Sequence, residues 1–77
     1  MDLDKISMTA QKISFAFEDL FFDEKKKNKF VAFFEKYLEP IDPGGRMDIY
    51  DATIQLGRKK PQEFDRMIKE MEEAGLI

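Results

Sequence analysis

Apolar positions near the N-terminus recur with the period of a helix. Ile6, Ala10, Ile13, Phe17, Leu20 and Phe21 follow one another at spacings of four, three, four, three and one residues. At about 100° per residue they gather into one stripe, which predicts a helix over residues 4–22. Met8, Phe15 and Phe22 form a second set at sevenfold spacing on the opposite side. A helix in so small a chain has one face to bury against its own core. The second set is therefore expected to pack against another copy of the chain or a partner protein; the alternative is that some of these aromatics are simply exposed.

The stripe stops at Asp23–Lys29 (DEKKKNK), which holds no apolar residue. A break is expected there, with Asp23 as N-cap of the following helix and the lysines solvating its start; a continuous helix through the stretch is the main alternative. Phe30, Val31, Phe33, Phe34, Tyr37 and Leu38 then form a broad apolar face. Pro40 ends that helix, and IDPGG is a loop by composition. Met47 to Leu56 resumes as a short helix apolar on most of its circumference, with Gly57 expected as its stop. Pro61 suits the first turn of a last helix. There Phe64, Met67, Ile68, Met71 and Ala74 give the cleanest helical pattern in the chain, and Gly75 closes it. The expected fold class is all-α: one compact four-helix domain over residues 1–77.

Composition narrows the chemistry. The 77 residues include no cysteine, histidine or tryptophan, which leaves no disulfide framework, thiol nucleophile, histidine base or ordinary zinc site. Seven of the eight phenylalanines lie between residues 15 and 34, a large aromatic load for a domain that buries only about 60% of its unfolded surface. That again favours association. Mean hydropathy is −0.51, and no segment approaches the roughly 18 apolar residues of a membrane span. MDLDKIS carries acids where a signal peptide would carry lysines, so a cytoplasmic protein starting at its own methionine is expected.

The net charge of −3 is unevenly spread. Residues 1–39 hold seven lysines against eight acids, residues 40–56 one arginine against three aspartates, and residues 57–77 five basic against five acidic groups. Nucleic-acid binding by such a chain has to come from a local basic patch.

One patch has the right polarity. On the last helix Gln62, Arg66, Lys69 and Glu73 form the ridge opposite the buried stripe, and the first three are residue types that read bases or phosphates. Arg58, Lys59 and Lys60 precede that helix at its positive end, where phosphate contacts commonly sit. Glu63, Asp65 and Glu70 flank the ridge and set like charge against phosphate. The stretch DIYDATIQLGRKKPQEFDRMIKEMEEAGLI resembles the helix-turn-helix core of winged-helix transcription regulators. Thr53 stands at the family's small position, Leu56–Gly57 at its helix end, and EMEEAGLI at its helix-to-wing step. The likeness is confined to residues 47–77, and the family's two-stranded wing has no counterpart within them. It implies that residues 46–77 form a helix-turn-helix-like unit beside aromatic-rich association helices in residues 1–39. It further implies a DNA-binding regulator with Gln62, Arg66 and Lys69 on the duplex and Arg58, Lys59 and Lys60 on phosphates. The other expectation is a non-enzymatic protein-binding module or inhibitor, such as a phage or plasmid might carry, acting through the same unit or through Met8, Phe15 and Phe22. In either case the chain is expected to be a homo-oligomer or to have a protein partner.

Other constellations fall short. With Gly45 as the sixth position of a calcium loop, Asp42, Asp48 and Asp51 fall at the third, ninth and twelfth. However, the first position is Pro40 and the fifth is Gly44, so essential oxygens are missing. Asp48 is better explained as a helix-capping acid. Glu18–Asp19, Asp23–Glu24 and Glu72–Glu73 are adjacent on helices and point apart. GGR lacks the strand and the Lys-Ser/Thr of a phosphate loop. Ser7 and Ser14 have no histidine to activate them. No catalytic residue, metal ligand, cofactor or small-molecule substrate is expected.

Overall fold

The computed structural model describes residues 3–77; Met1 and Asp2, which entered the reading of the N-terminus, lie outside the described residues. Four helices follow in order: α1 (Leu3–Asp19), α2 (Glu24–Tyr37), α3 (Ile49–Lys59) and α4 (Pro61–Glu73). The described residues contain no strand, as the all-α expectation requires. α3 and α4 are the hub: α1 packs across α3, α3 against α4, and α2 against α4. The resulting body measures 31 × 24 × 17 Å.

The helix boundaries follow from local chemistry. After Asp19 the helical ladder tightens, with Leu20 N–H still bonding Ala16 O but Phe21 N–H turning to Glu18 O at 3.3 Å. Asp23 then takes an extended backbone and its carboxylate accepts the Lys26 N–H at 3.2 Å. A capped start lets the next helix begin at once, so the break falls at residues 20–23. The lysine run expected to contain the break instead forms the first turns of α2, since lysine is a good helix former. Asp48 caps α3 through the Asp51 N–H at 2.8 Å, the role the sequence assigned it. Met47 stays outside that helix and is exposed.

α4 ends in a Schellman motif. Gly75 sits at φ +75, Gly75 N–H bonds Glu72 O at 3.0 Å, and Leu76 N–H bonds Met71 O at 2.9 Å. Leu76 and Met71 are both buried, which supplies the apolar contact that accompanies the motif.

The loop between α2 and α3 is pinned by Asp42. Its two carboxylate oxygens accept the N–H groups of Arg46 at 3.1 Å and Met47 at 2.7 Å, while Gly44 and Gly45 take left-handed backbone at φ +86 and +63. A carboxylate committed to the backbone in this way explains why an aspartate is buried here. Among the described residues no group of three or more acids is placed to hold a metal ion.

Ile6 and Ile13 on the inner stripe of α1 join Leu56, Phe64, Met67 and Met71 in one buried core cluster, and Ala10 on the same stripe is fully buried. Phe17 closes one end, edge-on to Phe30 at 5.5 Å and to Phe34 at 5.4 Å between centroids. Phe21, expected on this stripe, is exposed because the chain leaves the helix before reaching it.

Gly57 is the clearest departure from expectation. It does not stop α3, which runs on to Lys59. It is buried inside the helix, and a Cβ placed on it would come within 2.8 Å of Ile6 Cγ2 and 3.1 Å of Ile6 Cγ1. The missing side chain is what lets α1 cross so close to α3. One helical turn earlier, the buried Thr53 hydroxyl has no hydrogen-bond partner among the described residues.

These two positions predict opposite responses in urea denaturation. Gly57→Val forces a branched side chain into Ile6 and should lower stability by about 1–3 kcal/mol. Thr53→Val removes an unsatisfied buried hydroxyl at nearly constant shape and should leave stability unchanged or raise it by up to about 1 kcal/mol.

Candidate functional site

Two surfaces carry the residues singled out in the sequence. The first is the outer side of α1. With Ile6, Ala10 and Ile13 turned inward, residues seven apart on the opposite side must face solvent. Met8 is 69% exposed, Phe15 61% and Phe22 94%. Met8 and Phe15 line one wide, shallow depression together with Gln11, Lys12, Ala16 and Asp19. Phe22 extends the apolar line past the end of α1, its ring edge-on to Phe21 at 5.5 Å. Phe21 in turn lies under the Lys27 ammonium at 4.0 Å, a cation–π contact that keeps one ring of the pair oriented.

The second surface is the junction of α3 and α4 with the outer side of α4. Arg58 and Lys59 end α3, Lys60 is the single residue between the helices, and Pro61 and Gln62 open α4. Arg58, Lys59, Lys60 and Gln62 are all exposed, and the three basic groups form no ion pair within the described chain. Further along, acids intervene. The Arg66 guanidinium pairs with Glu63 at 3.4 Å. Lys69 lines a groove of about 340 Å³ between α1 and α4, opposite Lys5 and Lys12 and beside Asp65 and Glu72. The basic residues of this unit are therefore interleaved with carboxylates, and its positive character is concentrated at the N-terminal end of α4.

A third polar feature could not be read from the residues in order. Glu70 accepts hydrogen bonds from the Tyr37 hydroxyl and from the Lys36 ammonium, whose nitrogen lies 3.1 and 3.2 Å from its two oxygens. This ties α2 to α4 across residues more than thirty apart in sequence, a separation no local pattern can reveal. The Tyr37 hydrogen bond, then that of Lys36, holds the Glu70 carboxyl below its ordinary value. The Glu70 hydrogen bond raises Lys36, and burial followed by the Glu70 hydrogen bond raises Tyr37. Glu70 is thus turned toward α2, away from the ridge it was expected to burden. On α1, Ser7 Oγ lies 2.8 Å from the Tyr50 hydroxyl of α3, a hydrogen bond that joins the two helices.

Comparison with protein-family models, with curated proteins and with solved structures finds no match to this chain.

The lowered Glu70 value has a definite sign. A carboxyl whose folded value lies below its unfolded one contributes stability that is present above the unfolded value and is lost as pH falls through the folded one. Wild type should therefore exceed Glu70→Gln in urea midpoint at neutral pH, and the gap should close as pH falls below 4.5. A gap that persists unchanged at lower pH would contradict this assignment.

Proposed function

We propose that this chain is a non-enzymatic protein-binding module that engages its partner through the outer face of α1. The observation that carries this reading is the exposure of Met8 and Phe15 along one line of α1, with Phe22 exposed just past its end, while Ile6, Ala10 and Ile13 on the opposite side of α1 are buried. Single exposed apolar residues are ordinary, but a contiguous apolar line rimmed by Gln11, Lys12 and Asp19 has the makeup of an interface. Aromatic and methionine side chains supply large contact area, and methionine adapts to irregular surfaces. The lack of histidine and cysteine anywhere in the sequence and the commitment of Ser7 to Tyr50 support a role without catalysis.

A second reading keeps α3 and α4 as a helix-turn-helix-like unit of a DNA-binding regulator. It is favoured by Arg58, Lys59 and Lys60, which are exposed where the positive end of α4 adds to their charge. Gln62, Arg66 and Lys69 would follow along the duplex. The pairing of Arg66 with Glu63 and the net charge of −3 count against it, and the α1 face is preferred for that reason.

A photoreactive phenylalanine analogue placed at residue 15, and in a separate protein at residue 66, distinguishes the two in cells expressing the full chain. The proposal expects discrete protein adducts from position 15 that disappear when Phe22→Glu is added, and none from position 66. Nucleic-acid adducts at position 66 with nothing at position 15 would replace it with the second reading.

A further inference from the structure

The charges beside the apolar line of α1 are arranged so that the face complements itself. Taking Phe15 as centre, Met8 lies about 10 Å toward the N-terminus and within about 20° of it around the helix, while Phe22 is exposed in the turn beyond the end of α1. Lys12 and Asp19 flank the line on one side, on opposite sides of Phe15 along the axis; Gln11 and Glu18 do the same on the other side. Lys12, Glu18 and Asp19 are exposed, and none forms an ion pair within the described chain.

From this we infer that the partner on the α1 face is a second copy of the chain, docked antiparallel about a twofold axis passing beside Phe15. The inference rests on the reading of α1 as the binding face and names its occupant. Antiparallel docking pairs residues on the same side of the line that lie at nearly equal distances before and after Phe15. Phe15 meets its symmetry mate, and Met8 faces the C-terminal end of the other copy's α1, beyond which Phe22 is exposed. Lys12 meets the other copy's Asp19, and Gln11 meets its Glu18. Each pair occurs twice, as a twofold interface requires. Parallel docking would instead set Asp19 of each copy against Glu18 of the other, two like-charge contacts at the C-terminal end of the pairing. One face thus carries both halves of a matched set, and only the antiparallel register matches them.

Charge reversal tests the register and the occupant together. Wild type should be a dimer by light scattering, and Phe15→Glu should shift it to monomer with unchanged helicity. Lys12→Asp and Asp19→Lys should each weaken the dimer roughly tenfold, because each sets like charges opposed at two symmetric places. The double variant Lys12→Asp/Asp19→Lys should recover dimerisation. Mixing the two single variants should give a heterodimer tighter than either homodimer, since one copy then carries only acids at these positions and the other only lysines. A wild type that stays monomeric at high concentration, a dimer indifferent to Phe15→Glu, or single variants that neither weaken alone nor recover together would each overturn the proposal. If the chain is monomeric yet position 15 still cross-links to a different protein in cells, the second copy is wrong while the α1 face stands.

Discussion

Ile6 lies against the backbone of Gly57 so closely that a Cβ there would meet its Cγ2 methyl at 2.8 Å, and the geometry of the remaining elements depends on this approach. It brings α1 onto α3 with Ala10 and Ile13 fully buried, and so fixes the rotation of α1 about its own axis. Once that rotation is fixed, the placement of every other residue on α1 follows from helical period alone. Met8 and Phe15 are exposed because Ile6 and Ile13 are not. The same crossing leaves α3 lodged between α1 and α4, which accounts for its burial on most sides despite its short length. A helix in the centre of a small domain has little surface to spend on polar groups, and among the described residues the buried Thr53 hydroxyl goes without a partner.

Charge is distributed to suit the packing more than to build a single electrostatic field. On α4, Glu63 is paired with Arg66 and Glu70 with Tyr37 and Lys36, so two of its acids serve contacts inside the domain. Three exposed basic residues, Arg58, Lys59 and Lys60, stand together beside the end of α4 whose free N–H groups are already positive. A weak anion preference at that end is compatible with the fold, whereas an extended basic track along α4 is interrupted by its own carboxylates.

Much of the architecture was legible in the residues. Asp23, Asp48, Pro61 and Gly75 mark helix ends because capping and turn chemistry act over a few residues, and each stands at the boundary it signalled. The two stripes of α1 were legible because periodicity is a property of one helix. Gly57 misled because a glycine near the end of an apolar run reads locally as a stop, whereas its role is set by Ile6, fifty-one residues earlier in the chain. The Tyr37–Glu70–Lys36 cluster was hidden for the same reason. The lysine run misled in a different way: without apolar residues it looked like a gap, yet a capped start and good helix formers suffice to carry α2 through it. Of the candidate site, the exposure of Met8 and Phe15 could be anticipated from spacing, whereas Phe22 is exposed in the turn past α1. The engagement of Arg66 by Glu63 and the position of Lys69 on the α1–α4 groove could not, since they depend on side-chain choices and on a neighbouring helix.

The account turns on one helix being tightly held on one side and available for association on the other. Fluorine NMR with fluorophenylalanine at residues 15, 22 and 30, recorded with a soluble paramagnetic agent over a dilution series, separates these sides directly. Residue 30 should be protected at every concentration, as a fully buried ring must be. Residues 15 and 22 should be broadened by the agent in dilute protein and become protected as concentration rises. Resonances at 15 and 22 that stay equally accessible from dilute to concentrated protein would contradict the account, as would accessibility at residue 30.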